Sequence, residues 1–260
     1  LEPLEFDLSR YIETSDVARM NHAVPGKPVT VSLETLECLE LAGWAWAKTG
    51  GAFDVTIGPL LSLWRENDTG RPGEAALKKA LSITGMDLLA LDHERKTVEV
   101  KKEGVVVDLG GIGKGYALDI MSRTLEEWEV DSALLQGGQS TCLAMGEGNV
   151  AGGWKADLRD PRRPGQHSPG EVLLKETALS GSGTLLQGKH IIDPVSGRPC
   201  EGKLAAWAVA PSAAVADALS TAFMIMEVEK IDALCQNEAE IGGAVLIERK
   251  GKEKLIRFGM

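Results

Sequence analysis

Three separated glycine-containing segments carry side chains that could act in a binding site. They are residues 51–54 (Gly-Ala-Phe-Asp), residues 108–116 and residues 190–194. Each combines a close backbone turn with one or two ionisable side chains, which is typical of a pocket that grips a phosphate-bearing ligand. A fourth segment, residues 217–221, supplies candidate oxygen ligands for a metal ion. The side chains therefore point first to phosphate chemistry.

The second of these segments is a glycine turn between two predicted elements. It follows the β-branched residues 105–107 and precedes apolar residues at spacings of three and four, which predicts a strand, a turn and a helix. It is not a Walker A loop, because Lys114 is followed by Gly115 rather than by Ser or Thr, and it does not match G-x-G-x-x-G. Two interpretations stay open, phosphate contact through Lys114 or a structural glycine turn.

Asp217 and Thr221 are four residues apart, so on a helix both side chains project from one face, with Ser220 beside them. Mg²⁺ commonly takes one or two protein oxygens and completes its shell with water and substrate phosphate. The pair is therefore sufficient for a phosphate-bridging Mg²⁺ site. In the alternative interpretation, Asp217 is only the solvated residue of an otherwise apolar helix.

His190 stands before two isoleucines and Asp193-Pro194, which predicts the edge of a strand entering a turn. A histidine has an ordinary pKa near neutrality, so His190 could act as a general base. A hydrogen-bonded structural histidine is the other interpretation of the same pattern.

The composition sets limits on the class of protein. The chain has 260 residues, 43% of them hydrophobic and 25% charged. It exceeds the usual domain size of about 100–150 residues, so one large domain or two interlocked lobes are expected. The net charge of -10 argues against nucleic acid as a partner, because nucleic-acid binding needs a basic surface. An anionic ligand would need local help from a cation, N–H groups or lysines.

Cysteine spacing and the start of the chain give two further expectations. The cysteines at 38, 142, 200 and 235 form no C-x-x-C pair, so a zinc site or a thioredoxin-like motif has little support. No basic and apolar leader follows Leu1, so we expect any export signal or lipid anchor to lie upstream of it.

The elements that must position these residues alternate between helices and strands. Helices are predicted over 34–48, where Gly50-Gly51 end the helix, over 74–84, and from the N-cap Ser212 to about Met226. The predicted strands lie at 88–91, 98–100, 132–135, 154–158, 204–210, 243–248 and 254–258. The alternation is not strict, which favours a mixed-sheet α/β or α+β architecture over a barrel.

Taken together, these residues resemble the ApbE family, the FAD:protein FMN transferases. The resemblance follows family order over nearly the whole chain. It rests on residues 8–11, 15–16, 21, 51–54, 58–60, 63–64, 108–116, 137–138, 190–194 and 217–221. It implies an α/β (mixed α+β) fold with two lobes, mixed sheets and a flavin-binding cleft, and a single domain over 1–260 formed by two interlocked lobes.

The resemblance also implies an activity. In that family a Ser or Thr hydroxyl of an acceptor protein attacks the FMN-side phosphorus of FAD, AMP leaves and FMN remains as a phosphoester, with Mg²⁺ on the pyrophosphate. Positioning and charge neutralisation carry such phosphoryl transfers. The implied partners are FAD and an acceptor flavoprotein such as a subunit of an ion-pumping respiratory complex. The implied location is the cell envelope, on the periplasmic side.

Carried over residue by residue, the resemblance assigns the site. The residues it implies for the FAD site are Tyr11, Ala52, Phe53, Asp54, Asp108, Lys114 and Ile192. It implies metal ligands from the Gly111 carbonyl and from the side chains of Asp217 and Thr221. The catalytic candidates are Asp217 and His190, with His190 assisting deprotonation of the attacking hydroxyl.

Two alternatives stay open beside the transferase hypothesis. One is an FAD pyrophosphatase that releases FMN and AMP without an acceptor. The other is a non-catalytic protein that binds or delivers flavin, which the departure of residues 180–183 (Ser-Gly-Ser-Gly) from the family pattern motivates. AMP release with and without an acceptor distinguishes the three.

Overall fold

The computed structural model describes residues 2–67, 70–159, 168–183 and 191–260. The chain divides into two compact units. The first is Leu1–Gly111 with Ile192–Pro199, and the second is Ile112–Ile191 with Cys200–Met260. Each unit is therefore built from two separate stretches of chain. That the two units form a single domain stays a prediction.

The first unit contains five helices and one small sheet among its described residues. The helices are α1 (Glu2–Leu8), α2 (Asp16–Asn21), α3 (Leu33–Lys48), α4 (Gly58–Glu66) and α5 (Glu74–Leu81). The strands are β1 (Pro28–Thr30), β2 (Leu89–Asp92) and β3 (Thr97–Val100), and a 3₁₀ turn at Met86–Leu88 precedes β2. Their order is β1-β3-β2, with antiparallel pairing throughout.

The second unit contains a six-stranded sheet, a two-stranded sheet and three helices in the described part of the chain. The helices are α6 (Gly113–Glu127), α7 (Ala213–Ile225) and α8 (Val228–Asn237). The strands are β4 (Ala133–Gly137), β5 (Thr141–Met145), β6 (Trp154–Asp157), β7 (Glu171–Leu174), β8 (Ala178–Gly183), β9 (Lys203–Ala210), β10 (Gly242–Arg249) and β11 (Lys252–Phe258). The larger sheet has the order β11-β10-β9-β8-β5-β4, and β6 pairs with β7.

The core of the second unit forms around α7, which packs against β8, β9 and α6. Eleven of the residues of α7 are buried, and five of these are alanines. A helix that is apolar on all sides is typically buried, and the small side chains let the helix approach its neighbours closely. Ser212 caps this helix, since its hydroxyl accepts a hydrogen bond from Val215 N at 3.3 Å. Asp217 is therefore carried into the core by an apolar helix.

Most of the predicted elements are confirmed. The mixed α/β class, the helix after the glycine turn and the capped helix from Ser212 are present. The strands predicted near 88–91 and 98–100 form one hairpin, and those near 243–248 and 254–258 form another. Gly50 and Gly51 follow α3 with φ of 61° and 85°, a conformation that favours glycine. All the strand pairs named above are antiparallel. Outside these strands, the described residues include an isolated parallel bridge between Ile57 and Val106.

Several boundaries differ from the predictions by one or two residues, and two elements differ more. The predicted helix over 74–84 ends at Leu81. The predicted strand over 105–107 is absent apart from one bridge, because a side chain takes the place of a neighbouring strand. Asn21 Nδ2 donates to Val107 O at 3.0 Å, and Val107 N donates to Asn21 Oδ1 at 2.7 Å. This distant amide satisfies the backbone that a sheet would otherwise pair.

Two features, a helix able to span a membrane and a disulfide, are absent from the described residues. None of their helices combines the length and the apolar character that spanning a membrane requires. Their four cysteines are free thiols, which leaves no disulfide in this part of the chain.

Asp16 at the start of α2 is a buried carboxylate that organises the first unit. Ser32 N donates to Asp16 Oδ2 at 2.6 Å, and Arg19 donates to Oδ1. Burial alone would raise the pKa of Asp16. The hydrogen bonds from Ser32, Thr35 and Arg19 outweigh it, so the pKa lies below its ordinary value of 3.8. The ionised form therefore stabilises the fold.

The Asp16→Asn variant is expected to lose about 1–2 kcal/mol of unfolding free energy at neutral pH, because charge-assisted hydrogen bonds become neutral ones. A depressed folded pKa contributes stability above the unfolded pKa and loses it as the pH falls through the folded value. The difference from wild type should thus be constant above pH 3.8 and shrink below it. Urea unfolding at several pH values measures it.

Asp92→Asn is the control for this variant. Asp92 is 41% exposed and lies 3.8 Å from Arg95, so the same substitution should change the unfolding free energy little at any pH. A difference between Asp16→Asn and wild type that persists unchanged at the lowest pH would contradict the assigned role of Asp16.

Candidate active site

The start of α6 and the start of α7 are locked together. A Cβ added at Gly115 would lie 2.1 Å from the backbone oxygen of Ala213, so only glycine permits this approach. Asp119 on α6 accepts hydrogen bonds from Ser212 Oγ at 2.7 Å, Ala213 N at 2.7 Å and Ala214 N at 2.9 Å. The carboxylate thus satisfies N–H groups of α7 that the helix itself cannot. The contact fixes α6, and with it Lys114, relative to α7.

The Asp119→Ala variant is expected to lose about 1–3 kcal/mol of unfolding free energy, because it removes a helix cap and leaves buried donors unpaired. Differential scanning calorimetry measures the loss. Asp232→Ala is the control, since the Asp232 carboxylate accepts an exposed hydrogen bond from Gln236 on its own helix and caps no other helix in the described residues. Equal melting temperatures for the two variants would contradict the locking role of Asp119.

Asp217 is the buried carboxylate of this site, with 3% of its surface exposed. Its Oδ2 atom lies 3.2 Å from Lys114 Nζ and 3.3 Å from Gly115 N. Its Oδ1 atom accepts a hydrogen bond from Ser180 Oγ at 3.0 Å and lies 3.5 Å from Thr141 Oγ1. The fold therefore brings Asp217 and Lys114 together, as a common site requires.

Electrostatics make this carboxylate receptive to positive charge. Burial raises the pKa of Asp217 above its ordinary value of 3.8. The Lys114 ammonium and the hydrogen bonds from Ser180 and Gly115 oppose that effect without cancelling it. A charged group buried with incomplete compensation gains from a further cation.

Another predicted metal ligand, Thr221, belongs to a small cluster of hydroxyl groups. Its Oγ1 atom lies 3.3 Å from Ser182 Oγ and 3.4 Å from the backbone oxygen of Asp217. Ser182 Oγ also lies 2.9 Å from Ser220 Oγ, which donates to the same backbone oxygen at 2.9 Å. The side chains of β8 and α7 thus form a polar cluster one helical turn beyond the carboxylate.

This donor set suits a hard cation rather than a soft one. No cluster of three or more His, Cys, Asp or Glu occurs among the described residues, so a zinc-like cage is not formed by them. One carboxylate and nearby hydroxyls are sufficient for Mg²⁺, which retains water and phosphate ligands. Gly111 ends the first stretch of the first unit, and its role as a carbonyl ligand stays a prediction.

In the first unit, the residues Ala52, Phe53 and Asp54 are all buried. Asp54 Oδ1 accepts hydrogen bonds from Thr56 N at 2.8 Å and Thr56 Oγ1 at 2.6 Å, and Oδ2 accepts one from Met86 N at 3.0 Å. Burial raises the pKa of Asp54, and these hydrogen bonds oppose it. The side chain therefore shapes the loop after α3 from within.

Asp108 is held by Arg10, a residue of the matched segment 8–11 to which the sequence analysis gave no role. Arg10 NH1 donates to Asp108 Oδ2 at 2.7 Å, and Gly110 N donates to Oδ1 at 2.9 Å. The Arg10 guanidinium also lies 5.2 Å from the centre of the Tyr11 ring. Tyr11 itself is 74% exposed, so an aromatic face is presented to solvent beside this ion pair.

Ile192 lies in an apolar cluster with Leu60, Leu77 and Ala80. Trp64 on α4 donates from Nε1 to the backbone oxygen of Gly197 at 2.7 Å, which ties the turn after Ile192 to the same unit. Ile192 is 4% exposed. His190, the predicted base, lies outside the described residues.

Sequence reasoning assigned no role to Asp119, Arg10, Thr141 or Ser180, although Arg10 and Ser180 lie in segments that it named. Asp119 had a usable signal, because it follows Gly115 by four residues and so shares the helix face that packs on α7. The other three act through partners far away in sequence, which no local spacing reveals.

Comparisons with known proteins agree on one family. The profile of the ApbE family matches residues 1–245. An FAD:protein FMN transferase of Klebsiella pneumoniae is 31% identical over 240 residues, which cover 86% of this chain and 68% of that protein. The solved structure of flavin transferase ApbE from Vibrio cholerae is similar with a TM-score of 0.86 and 26% identity, covering 99% of this chain and 85% of its own. The apo flavinyl transferase ApbE of Pseudomonas stutzeri gives a TM-score of 0.85 at 27% identity, covering 99% and 82%.

Proposed function

Because the chain belongs to the ApbE family, we propose that it is an FAD:protein FMN transferase that moves FMN to a Ser or Thr hydroxyl of an acceptor protein. The proposed reaction depends on Mg²⁺ and releases AMP. The observation that carries the proposal is the buried Asp217 carboxylate, paired with Lys114 and followed one turn later by Thr221. The names of the relatives support flavin transfer as the activity.

The proposed step is a substitution at phosphorus. The acceptor hydroxyl oxygen forms a bond to the FMN-side phosphorus while the bond from that phosphorus to the AMP oxygen breaks. The hydroxyl proton leaves and AMP carries away the electron pair. Such a transfer asks the protein for positioning and for neutralisation of charge on the phosphate oxygens.

Lys114 and the residues around it fit the task of neutralising charge on the phosphate oxygens. Lys114 lies in the first turn of α6, where backbone N–H groups and the helix dipole favour an anion. Its side chain is 47% exposed, so the ammonium can reach a phosphate in solvent. Asp217 and Thr221 would hold Mg²⁺, which supplies charge neutralisation to the pyrophosphate when bound.

Residues of the first unit fit a role in binding FAD. Asp108 is held by Arg10, and the exposed Tyr11 ring is available to stack on the flavin or the adenine. The buried Ala52, Phe53, Asp54 and Ile192 support this role by shaping backbone rather than by exposed side chains. His190 as the base that receives the hydroxyl proton remains part of the proposal.

The acceptor and the location are also proposals. Following the family resemblance, we propose a subunit of an ion-pumping respiratory complex as the acceptor flavoprotein, and the periplasmic side of the cell envelope as the place of action. Loss of covalent flavin fluorescence from an envelope subunit in cells lacking this protein would support both, and its persistence would contradict both.

The test of the function is an assay of FAD with Mg²⁺, with and without an acceptor domain. AMP is measured by chromatography, and protein-bound flavin by fluorescence after denaturing electrophoresis. The proposal expects equal amounts of AMP and acceptor-bound FMN, and neither product without Mg²⁺. Free FMN and AMP formed without acceptor would instead make the protein a pyrophosphatase. FAD binding with no AMP under any condition would make it a flavin-binding protein.

A further inference from the structure

The two oxygens of Asp217 have different kinds of neighbours. Oδ1 faces the hydroxyls of Ser180 and Thr141, which lie directly opposite each other on β8 and β5 and are 2.9 Å apart. Oδ2 faces the Lys114 ammonium and the Gly115 N–H. Neutral donors therefore hold one oxygen in place, while the other oxygen receives the positive charge.

Lys114 reaches this carboxylate from the solvent side. Its side chain is 47% exposed and that of Asp217 is 5% exposed. Lysine is a flexible point charge on a four-carbon stem, so the ammonium can leave Asp217 without a change in the backbone of α6. The hydroxyls of Ser180 and Thr141 lack this freedom, because they are buried on paired strands.

We propose that Lys114 and the divalent cation are alternative partners of Asp217 Oδ2, and that Lys114 transfers to the ligand's phosphates when the cation enters. This inference rests on the proposed function, since it assigns the cation to Asp217. Lys114 then serves as a placeholder that keeps the buried carboxylate compensated in the cation-free state. It also couples the cation to the nucleotide.

The coupling between cation and nucleotide follows from the repulsion between two positive charges that would share the space beside Asp217 Oδ2. A Mg²⁺ bound at about 2.0–2.1 Å from Oδ2 would place two positive charges side by side if the ammonium stayed. The ammonium must leave, and an anionic ligand offers it a new partner. Each ligand thus removes a cost from the binding of the other, and the coupling is reciprocal by thermodynamic linkage.

The test measures binding of Mn²⁺, a substitute for Mg²⁺, by the electron paramagnetic resonance of the free ion at fixed pH. Titrations are made with and without ADP, which carries the adenosine and pyrophosphate of FAD but no flavin. The affinity of ADP for Mn²⁺ in the absence of protein is measured separately. In wild type, ADP should tighten Mn²⁺ binding by at least about tenfold.

The Lys114→Met variant should bind Mn²⁺ without ADP about tenfold more tightly than wild type, because the competing charge is gone. The enhancement by ADP should largely disappear. Lys155→Met is the matched control, since Lys155 is 65% exposed and lies 3.8 Å from Glu171 on the neighbouring strand β7. It should behave as wild type. Lys114→Gln, which keeps a hydrogen-bond donor, repeats the test if the methionine variant does not fold.

Equal Mn²⁺ affinity in wild type, Lys155→Met and both Lys114 variants would overturn the exchange. Retention of Mn²⁺ binding by Asp217→Asn would also overturn it, because the cation would then lie elsewhere. Failure of the proposed function appears in a different measurement, the absence of AMP and acceptor-bound FMN from wild-type protein. The two failures are therefore distinguishable.

Discussion

The Asp217→Ala variant is expected to release AMP from FAD at least about a hundredfold more slowly than wild type, the scale that loss of one preorganised electrostatic group produces. The Asp217 side chain is 5% exposed and faces Lys114, Ser180 and Gly115, and an alanine offers none of these donors an acceptor. Its removal takes away the charged ligand of the proposed cation and the carboxylate that lies 3.2 Å from the Lys114 ammonium. Single-turnover kinetics with saturating FAD and Mg²⁺ measure the effect.

Asp232→Ala is the control for this prediction as well, because it also removes a carboxylate, but one that accepts an exposed hydrogen bond on α8. It should retain the wild-type rate. Circular dichroism and melting temperature separate loss of chemistry from loss of fold. An Asp217→Ala variant that is folded and releases AMP within about fivefold of the wild-type rate would contradict the assigned role, since one such group should matter far more.

The Gly115→Ala variant is expected to lose about 3 kcal/mol or more of unfolding free energy, at the upper end of what overpacking costs. The added methyl would lie 2.1 Å from Ala213 O and 2.4 Å from Ala213 C, and backbone cannot rotate away as a side chain can. For a chain of this size the melting temperature should fall by about 10 °C. Activity should fall with it, because a displaced α6 moves Lys114 away from Asp217.

Gly43→Ala is the matched control, since Gly43 also lies in a helix, α3, and its added methyl would meet the flexible end of Met86, Cε, at an ordinary contact distance of 3.5 Å. That substitution should stabilise the protein by about 0.5–1 kcal/mol, because alanine is the better helix former. Similar melting temperatures for Gly115→Ala and Gly43→Ala would show that α6 and α7 do not depend on the close approach at residue 115.

Local signals predicted the elements that carry the site. Ser212 marked the start of α7 because an N-cap hydroxyl acts within a few residues, and its hydrogen bond to Val215 N is present. The four-residue spacing placed Asp217 and Thr221 one turn apart on that helix. These predictions succeeded because caps and helical periodicity depend on neighbours in sequence.

The features that the sequence did not predict depend on contacts between residues that are far apart in the chain. The run before Asp108 has the composition of a strand, but Asn21 satisfies the backbone of Val107 from 86 residues away. Likewise, Arg10 meets Asp108 across 98 residues, and Ser180 meets Asp217 across 37. Such pairs are set by topology rather than by spacing, so they become visible only in the folded chain.

The division into units was also beyond local reasoning. Residues 192–199 belong with the first unit although they follow most of the second in sequence. Their turn is tied there by the Trp64 hydrogen bond to Gly197 and by the burial of Ile192 against α4 and α5. Contacts of this kind between distant residues leave no periodic pattern in the sequence.

The most direct test of the central claim is the intact mass of an acceptor domain after incubation with this protein, FAD and Mg²⁺. The account predicts one adduct with the mass of FMN less water, formed with wild type and with Asp232→Ala, and absent with Asp217→Ala or without Mg²⁺. An adduct formed equally well by Asp217→Ala, or an unmodified acceptor beside free FMN and AMP, would contradict it.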